Sequence, residues 1–204
     1  MKKHILCLGD SNTHGYCADP NDCADHGIRF NEDERWTCRL QKALGDEYLV
    51  TEEGLSGRTT VFVDPIHESM DALSVIYALL KSHEVIDLLI IMLGTNDTGM
   101  AVEDFISNYK QLVQAIQTSY PYTDIIVNTV PPVPADHSNY PNMDQTRIDD
   151  FNMALLSMCE EMGLKFLNTA EALKDSTGYG NADYYQSGDI HLKTTGLKVL
   201  LNYC

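Results

Sequence analysis

The chain has 204 residues, enough for one domain with a full hydrophobic core, and a formal net charge of -16. So acidic a surface repels phosphate backbones and anionic lipid headgroups, which argues against nucleic acid and membranes as partners. No apolar stretch reaches the roughly 18 residues of a membrane span. The apolar run near the start is too short for a secretory signal, so the sequence predicts a cytoplasmic location.

Five short apolar runs predict buried strands, and amphipathic patterns between them predict helices. The predicted strands cover residues 4–8, 48–52, 87–93, 124–130 and 164–168. The predicted helices cover residues 35–44, 70–80, 102–116, 148–162 and 194–201. Strands that alternate with helices form a parallel sheet covered on both faces. The sequence therefore predicts a single domain over residues 1–204, with a three-layer α/β/α, flavodoxin-like parallel sheet of about five strands.

Glycine-rich polar segments follow the first three predicted strands. They are Gly9-Asp10-Ser11-Asn12, residues 54–57, and Gly94-Thr95-Asn96-Asp97. Because ligands bind at the carboxyl edge of a parallel sheet, these segments are candidates for one site. Ser11 is the candidate nucleophile, which requires a base and an oxyanion site. The alternative is that Ser11 only caps the helix that follows it.

Two loops are longer than ordinary connections, residues 17–34 and residues 135–144. Both are expected to overhang the carboxyl edge of the sheet and to shape a substrate pocket. Disorder is the alternative for the second loop.

Cysteines are scattered along the chain without the spacing of a small disulfide scaffold. Reduced thiols are the simplest interpretation in a cytosolic protein. His14, Cys17, Cys23 and His26 offer four soft ligands, a number that suits a tetrahedral zinc site. The gap between the two pairs matches no specific zinc motif, so we expect neither a metal nor another cofactor.

Together with a late Asp189-Ile190-His191, the three strand-end segments resemble the SGNH (GDSL-type) hydrolase superfamily, in its arylesterase- and acyltransferase-like branch. The four blocks stand in the expected order and span nearly the whole chain. The alternative is a flavodoxin-like domain in which these short motifs are coincidental. The resemblance implies that Ser11 is the nucleophile and that His191 is the general base.

Further roles follow from the same resemblance. The oxyanion donors are implied to be the backbone N–H groups of Ser11 and Gly57 and the side-chain amide of Asn96. We interpret Asp10 and Asp97 as anchors that accept hydrogen bonds from loop N–H groups. We expect the neighbouring arginine, Arg58, to pair with a carboxylate.

The sequence departs from the superfamily in the acid that orients the histidine. The usual pattern is Asp-x-x-His, but Gly188 occupies that aspartate position and Asp189 stands two residues before His191. Either Asp189 or a backbone carbonyl could orient the imidazole. From the sequence alone, the exchange Gly188→Asp with Asp189→Gly is expected to retain or raise activity, because it restores the usual spacing.

The resemblance implies a serine hydrolase that cleaves small carboxylic esters with short acyl groups and transfers the acyl group to water or to another alcohol. It also favours a homo-oligomer. Two alternatives stay open: a deacetylase of sugar or small-metabolite esters, and a relative that binds acyl or sugar ligands without turnover.

Overall fold

The computed structural model describes residues 2–19, 29–61, 70–83 and 85–203. Five parallel strands form one sheet in the order β2-β1-β3-β4-β5. They are β1 (Lys3–Gly9), β2 (Tyr48–Gly54), β3 (Leu88–Met92), β4 (Asp124–Asn128) and β5 (Lys165–Leu167). The α-helices are α1 (Ser11–His14), α2 (Trp36–Leu44), α3 (Ala72–Lys81), α4 (Val102–Ser119), α5 (Gln145–Met162), α6 (Ala170–Leu173) and α7 (Thr194–Tyr203). Within the described ranges, no helix is both long and apolar enough to cross a membrane.

Two buried clusters lie on opposite faces of the sheet, which confirms the predicted three-layer architecture. Successive side chains of a strand point to opposite faces. Leu6 and Leu8 of β1 pack in the cluster that includes α3, α4 and α5. Ile5 and Cys7 of the same strand pack in the cluster that includes α2 and α7. The near-continuous apolar runs in the sequence follow from this burial on both faces.

The strand order reverses between β1 and β3, which is where a flavodoxin-like sheet opens a crevice for ligands. Gly9 at the end of β1 pairs with Gly54 of β2 and with Met92 of β3. The three strands therefore end at the same level. The segments that follow them, which carry the candidate site residues, meet at this edge.

Candidate active site

The hydroxyl of Ser11 lies against the imidazole of His191. Ser11 begins α1 directly after β1, and its Oγ is 3.0 Å from His191 Nε2. The two residues are 180 positions apart in the chain and are 4% and 7% exposed. The helix cap is Asp10, whose side chain accepts a hydrogen bond from the Asn12 N–H. The Ser11 hydroxyl is thus directed at the imidazole and does not cap the helix.

Asp189 lies on the other side of the same imidazole, with its Oδ1 2.6 Å from His191 Nδ1. The same oxygen accepts hydrogen bonds from the backbone N–H groups of Ile190 and His191. Burial alone would raise the pKa of Asp189, but these hydrogen bonds and the nearby imidazole outweigh it and hold the pKa below its ordinary value. Although Asp189 stands two residues before His191 and not three, its ionised carboxylate still lies at Nδ1 of the imidazole.

The candidate oxyanion donors lie on the segments after β2 and β3. Gly57 has a φ of 81° in a turn closed by the hydrogen bond from Arg58 N to Leu55 O, and glycine adopts this conformation without strain. The Asn96 side chain is exposed and donates one amide hydrogen to the Arg58 carbonyl at 2.9 Å. Since an amide group carries two hydrogens, the second remains available to a ligand.

Asp10 and Asp97 are buried beneath these segments, and each accepts a hydrogen bond from a backbone N–H group, Asp10 from Asn12 in α1 and Asp97 from Thr60 in the loop after β2. Asp97 Oδ1 accepts from both the backbone N–H and the hydroxyl of Thr60. It thereby ties the segment that carries Gly57 to the turn that carries Asn96. Burial, reinforced by the negative charge of Asp10, raises the pKa of Asp97 to about 6, although the bonds from Thr60 oppose the shift.

We expect Asp97→Asn to remove a pH dependence from the stability of the protein. Below about pH 4, Asp97 is protonated in both the folded and the unfolded state, so its ionisation has no effect. As the pH rises to about 6, the unfolded state releases the proton more readily, and the wild type loses up to about 3 kcal/mol relative to the variant. Urea unfolding of both proteins between pH 4 and pH 8 measures this difference. If the free energies of unfolding of the two proteins differed by the same amount at every pH, the expectation would be contradicted.

Among the described residues, Arg58 contacts backbone carbonyls and forms no ion pair with the carboxylate that was expected. Its guanidinium donates to the carbonyl of Gly9 at 3.3 Å and to that of Glu53. Burial lowers the pKa of Arg58, while the carboxylates of Glu53 and Asp10 act in the opposite direction. Arg58 therefore links the ends of β1 and β2 through their backbone carbonyls.

Two tyrosines flank the imidazole, and the sequence did not single them out. The ring centroid of Tyr16 is 4.5 Å from that of His191, and the Tyr140 ring is 5.7 Å away at a steep angle. Tyr140 belongs to the loop of residues 135–144, so that loop does overhang the edge as predicted. Position in a long loop after a strand end was the only sequence signal for Tyr140.

The cysteines differ from the expectation of reduced thiols throughout. Cys17 is disulfide-bonded, whereas Cys38 and Cys159 are free thiols. The disulfide removes Cys17 from the set of thiolate ligands for zinc. Two further candidate zinc ligands, Cys23 and His26, lie outside the described residues.

The fold and the residues at its carboxyl edge match the SGNH type of hydrolase that the sequence resembles. The chain belongs to the GDSL-like lipase/acylhydrolase family, whose sequence profile matches residues 7–199. No curated protein is significantly similar to it in sequence.

Solved structures of esterases have the same fold as this chain. The native aryl esterase of M. smegmatis is 28% identical, with a TM-score of 0.81, over 98% of this chain and 95% of that one. A carbohydrate acetylesterase from Sinorhizobium meliloti is 25% identical, also with a TM-score of 0.81, over 98% of this chain and 94% of that one. The family and these neighbours define a carboxylic ester hydrolase.

Proposed function

We propose that the protein hydrolyses carboxylic esters through an acyl-enzyme on Ser11, with His191 as the general base and Asp189 as the acid that orients it. The observation that carries the proposal is the continuous contact from Ser11 Oγ to His191 Nε2 and from His191 Nδ1 to Asp189 Oδ1, at 3.0 Å and 2.6 Å. These distances are within the reach that proton transfer between nucleophile and base requires.

The chemistry uses only groups that the chain supplies. His191 Nε2 takes the Ser11 proton as Oγ attacks the ester carbonyl, and the ionised Asp189 stabilises the resulting imidazolium. The oxyanion is stabilised by the N–H groups of Ser11 and Gly57 and by the free amide hydrogen of Asn96. His191 then returns the proton to the leaving alcohol, and water or another alcohol releases the acyl group.

We expect Asn96→Ala to lower kcat by about 10²–10³ with little change in KM, because an oxyanion donor acts mainly in the transition state. Steady-state kinetics on a nitrophenyl ester measures both constants. Thermal unfolding of the same variant monitors the loss of the bond to the Arg58 carbonyl, so that a folding defect is recognised. If KM alone changes, Asn96 binds substrate and is not an oxyanion donor.

The acyl group is expected to be short, and the support comes from the neighbours. The Sinorhizobium meliloti protein is described as an acetylesterase of carbohydrates, and the one from M. smegmatis as an aryl esterase. The leaving alcohol departs beside His191 Nε2, where Tyr16 and Tyr140 present aromatic surface. Either an aryl group or a sugar ring packs on such surface, so the deacetylase of sugar or small-metabolite esters remains the second candidate.

Three assays separate these possibilities. Covalent labelling of Ser11 by a fluorophosphonate, located by mass spectrometry, distinguishes an enzyme from a relative that only binds acyl or sugar ligands. Nitrophenyl esters from acetyl to octanoyl, compared with acetylated sugars, then define the acyl and alcohol groups. Added methanol or another alcohol measures transfer against hydrolysis. An unlabelled serine and no turnover would reject the proposal.

We also infer a cytoplasmic, homo-oligomeric protein whose partners are small esters and not nucleic acid or membranes. The net charge of -16 supports the exclusion of anionic partners. The apolar run near the start forms β1, an interior strand between β2 and β3, so it serves as a core strand. The disulfide at Cys17 is more typical of oxidising compartments, so recovery of the protein outside the cytoplasm would overturn the inferred location. Cell fractionation tests the location, and light scattering of the purified protein tests the oligomeric state.

A further inference from the structure

We propose that Asn12 is a positioning residue that holds the segment of His191 against the turn of Ser11. Its Oδ1 accepts a hydrogen bond from the backbone N–H of Leu192 at 3.3 Å, across 180 positions of the chain. Asn12 is 3% exposed, and it stands one residue after the nucleophile, just as Leu192 stands one residue after the base. This inference rests on the proposed roles of Ser11 and His191.

The backbone around Leu192 explains why this N–H needs a side-chain acceptor. Leu192 lies opposite Tyr185 in a short antiparallel bridge. The bridge is formed by the bonds from Gln186 N to His191 O and from Lys193 N to Tyr184 O. In that pattern, the N–H of Leu192 points away from the facing segment. It points towards α1, where the Asn12 amide oxygen receives it.

The contact runs parallel to the one between the reacting side chains. Ser11 Oγ and His191 Nε2 meet at 3.0 Å, and the Asn12 bond fixes the backbone immediately after each of them. The position of the imidazole therefore depends on two attachments of its own segment: Asp189 within the turn and Asn12 across the interface. Asp189 sets the direction of the ring, while Asn12 sets the distance between the turn and α1.

Leucine is the natural replacement to compare with asparagine at this position. The letters of the family name, G-D-S-L, place leucine after the serine, whereas this chain has Asn12. A leucine side chain has a similar branched shape, but it is larger and has no hydrogen-bond acceptor. In this chain, leucine would leave the buried N–H of Leu192 without its acceptor, and such a group is rarely tolerated. The turn is then expected to shift until that N–H finds water or another oxygen.

The closing experiment compares Asn12→Leu, which removes the acceptor, with Asn12→Asp, which keeps one. Thr13→Val is the matched control, because Thr13 is also buried in α1 and its hydroxyl has no hydrogen-bond partner among the described residues. We expect Asn12→Leu to lower kcat by about 10–10² with KM nearly unchanged, since a displacement of about 1 Å costs up to about 10² in rate. We expect Asn12→Asp to recover most of that loss and Thr13→Val to retain the wild-type rate.

Hydrogen exchange at the Leu192 amide supplies a readout that does not depend on activity. We expect exchange about tenfold or more faster in Asn12→Leu and near the wild-type rate in Asn12→Asp and Thr13→Val. If the leucine variant does not fold, Asn12→Ala replaces it, because the smaller side chain fits the same space. The proposal would be overturned if the Asn12→Leu or Asn12→Ala variant kept both the wild-type kcat and the wild-type rate of hydrogen exchange at Leu192. It would also be overturned if Thr13→Val lost as much kcat as Asn12→Leu.

The same design separates this inference from the proposed function. A wild-type protein without activity on any ester would reject the function, while the exchange rates would still decide whether Asn12 holds Leu192. An active wild type with unaltered exchange in Asn12→Leu would reject the role of Asn12 alone.

Discussion

Ser11→Ala, His191→Ala and the variant with both changes are expected to lose nearly the same activity, about 10⁶-fold in kcat each. The nucleophile and its base act as one unit, so removing the second member after the first costs little more. Residual turnover then reflects substrate binding and the oxyanion donors. Single-turnover assays on a nitrophenyl acetate measure the loss for all three variants.

The control for this series is Ser157→Ala, which removes a serine hydroxyl bonded only within α5, to the Met153 carbonyl. Circular dichroism and thermal unfolding establish that each variant is folded. The assignment of Ser11 and His191 would be refuted by comparable activity in a folded Ser11→Ala variant. Losses that multiply in the double variant would show that the two residues act independently.

The sequence predicted all five strands and the five longer helices of the described chain to within a few residues. It did so because both signals are local: a strand buried on both faces is apolar throughout, and a long surface helix repeats its apolar side chains every three to four residues. Neither signal exists for α1 and α6, each of four residues. A single helical turn has no period to detect, so these two were missed.

The candidate site was predictable where each residue follows a strand end. Ser11, Gly57 and Asn96 belong to segments after β1, β2 and β3, and the sheet brings such segments together by topology alone. The tie between Asn12 and Leu192 was not predictable, because no local pattern relates residues 180 positions apart. The contacts of Arg58 were not predictable for a similar reason: its guanidinium donates to backbone carbonyls at the ends of β1 and β2, and such acceptors carry no signature in the sequence.

Asp189→Asn is expected to lower kcat by about 10³–10⁴. The carboxylate holds the imidazole tautomer that leaves Nε2 free to accept the Ser11 proton, and an amide favours the wrong tautomer. Since the pKa of Asp189 lies below its ordinary value, the lost group is a charge that stabilises the imidazolium at neutral pH. Kinetics on a nitrophenyl ester at neutral pH measures the effect. A loss below about tenfold would assign the orientation of His191 to another group.

The exchange Gly188→Asp with Asp189→Gly is the sharper test, and the structure reverses the expectation drawn from the sequence. Gly188 has a φ of 70°, and a Cβ there would lie 2.9 Å from Ser138 Oγ. An aspartate at 188 is therefore strained, whatever its spacing from His191. The exchange also removes the carboxylate that accepts the N–H groups of Ile190 and His191.

We therefore expect the exchanged variant to lose at least as much kcat as Asp189→Asn, and to unfold at a lower temperature. Gly188→Ala serves as the matched control for backbone strain, because it introduces the Cβ while Asp189 stays in place. If strain were the whole effect, Gly188→Ala would lose as much activity as the exchange. If the exchanged variant works like the wild type, the turn adapts to either spacing, and a carboxylate at position 188 orients the base as well as Asp189 does. We expect kcat to fall in the order wild type, Gly188→Ala, Asp189→Asn and the exchanged variant. Gly188→Ala only strains the turn, Asp189→Asn removes the carboxylate charge at the imidazole, and the exchanged variant does both.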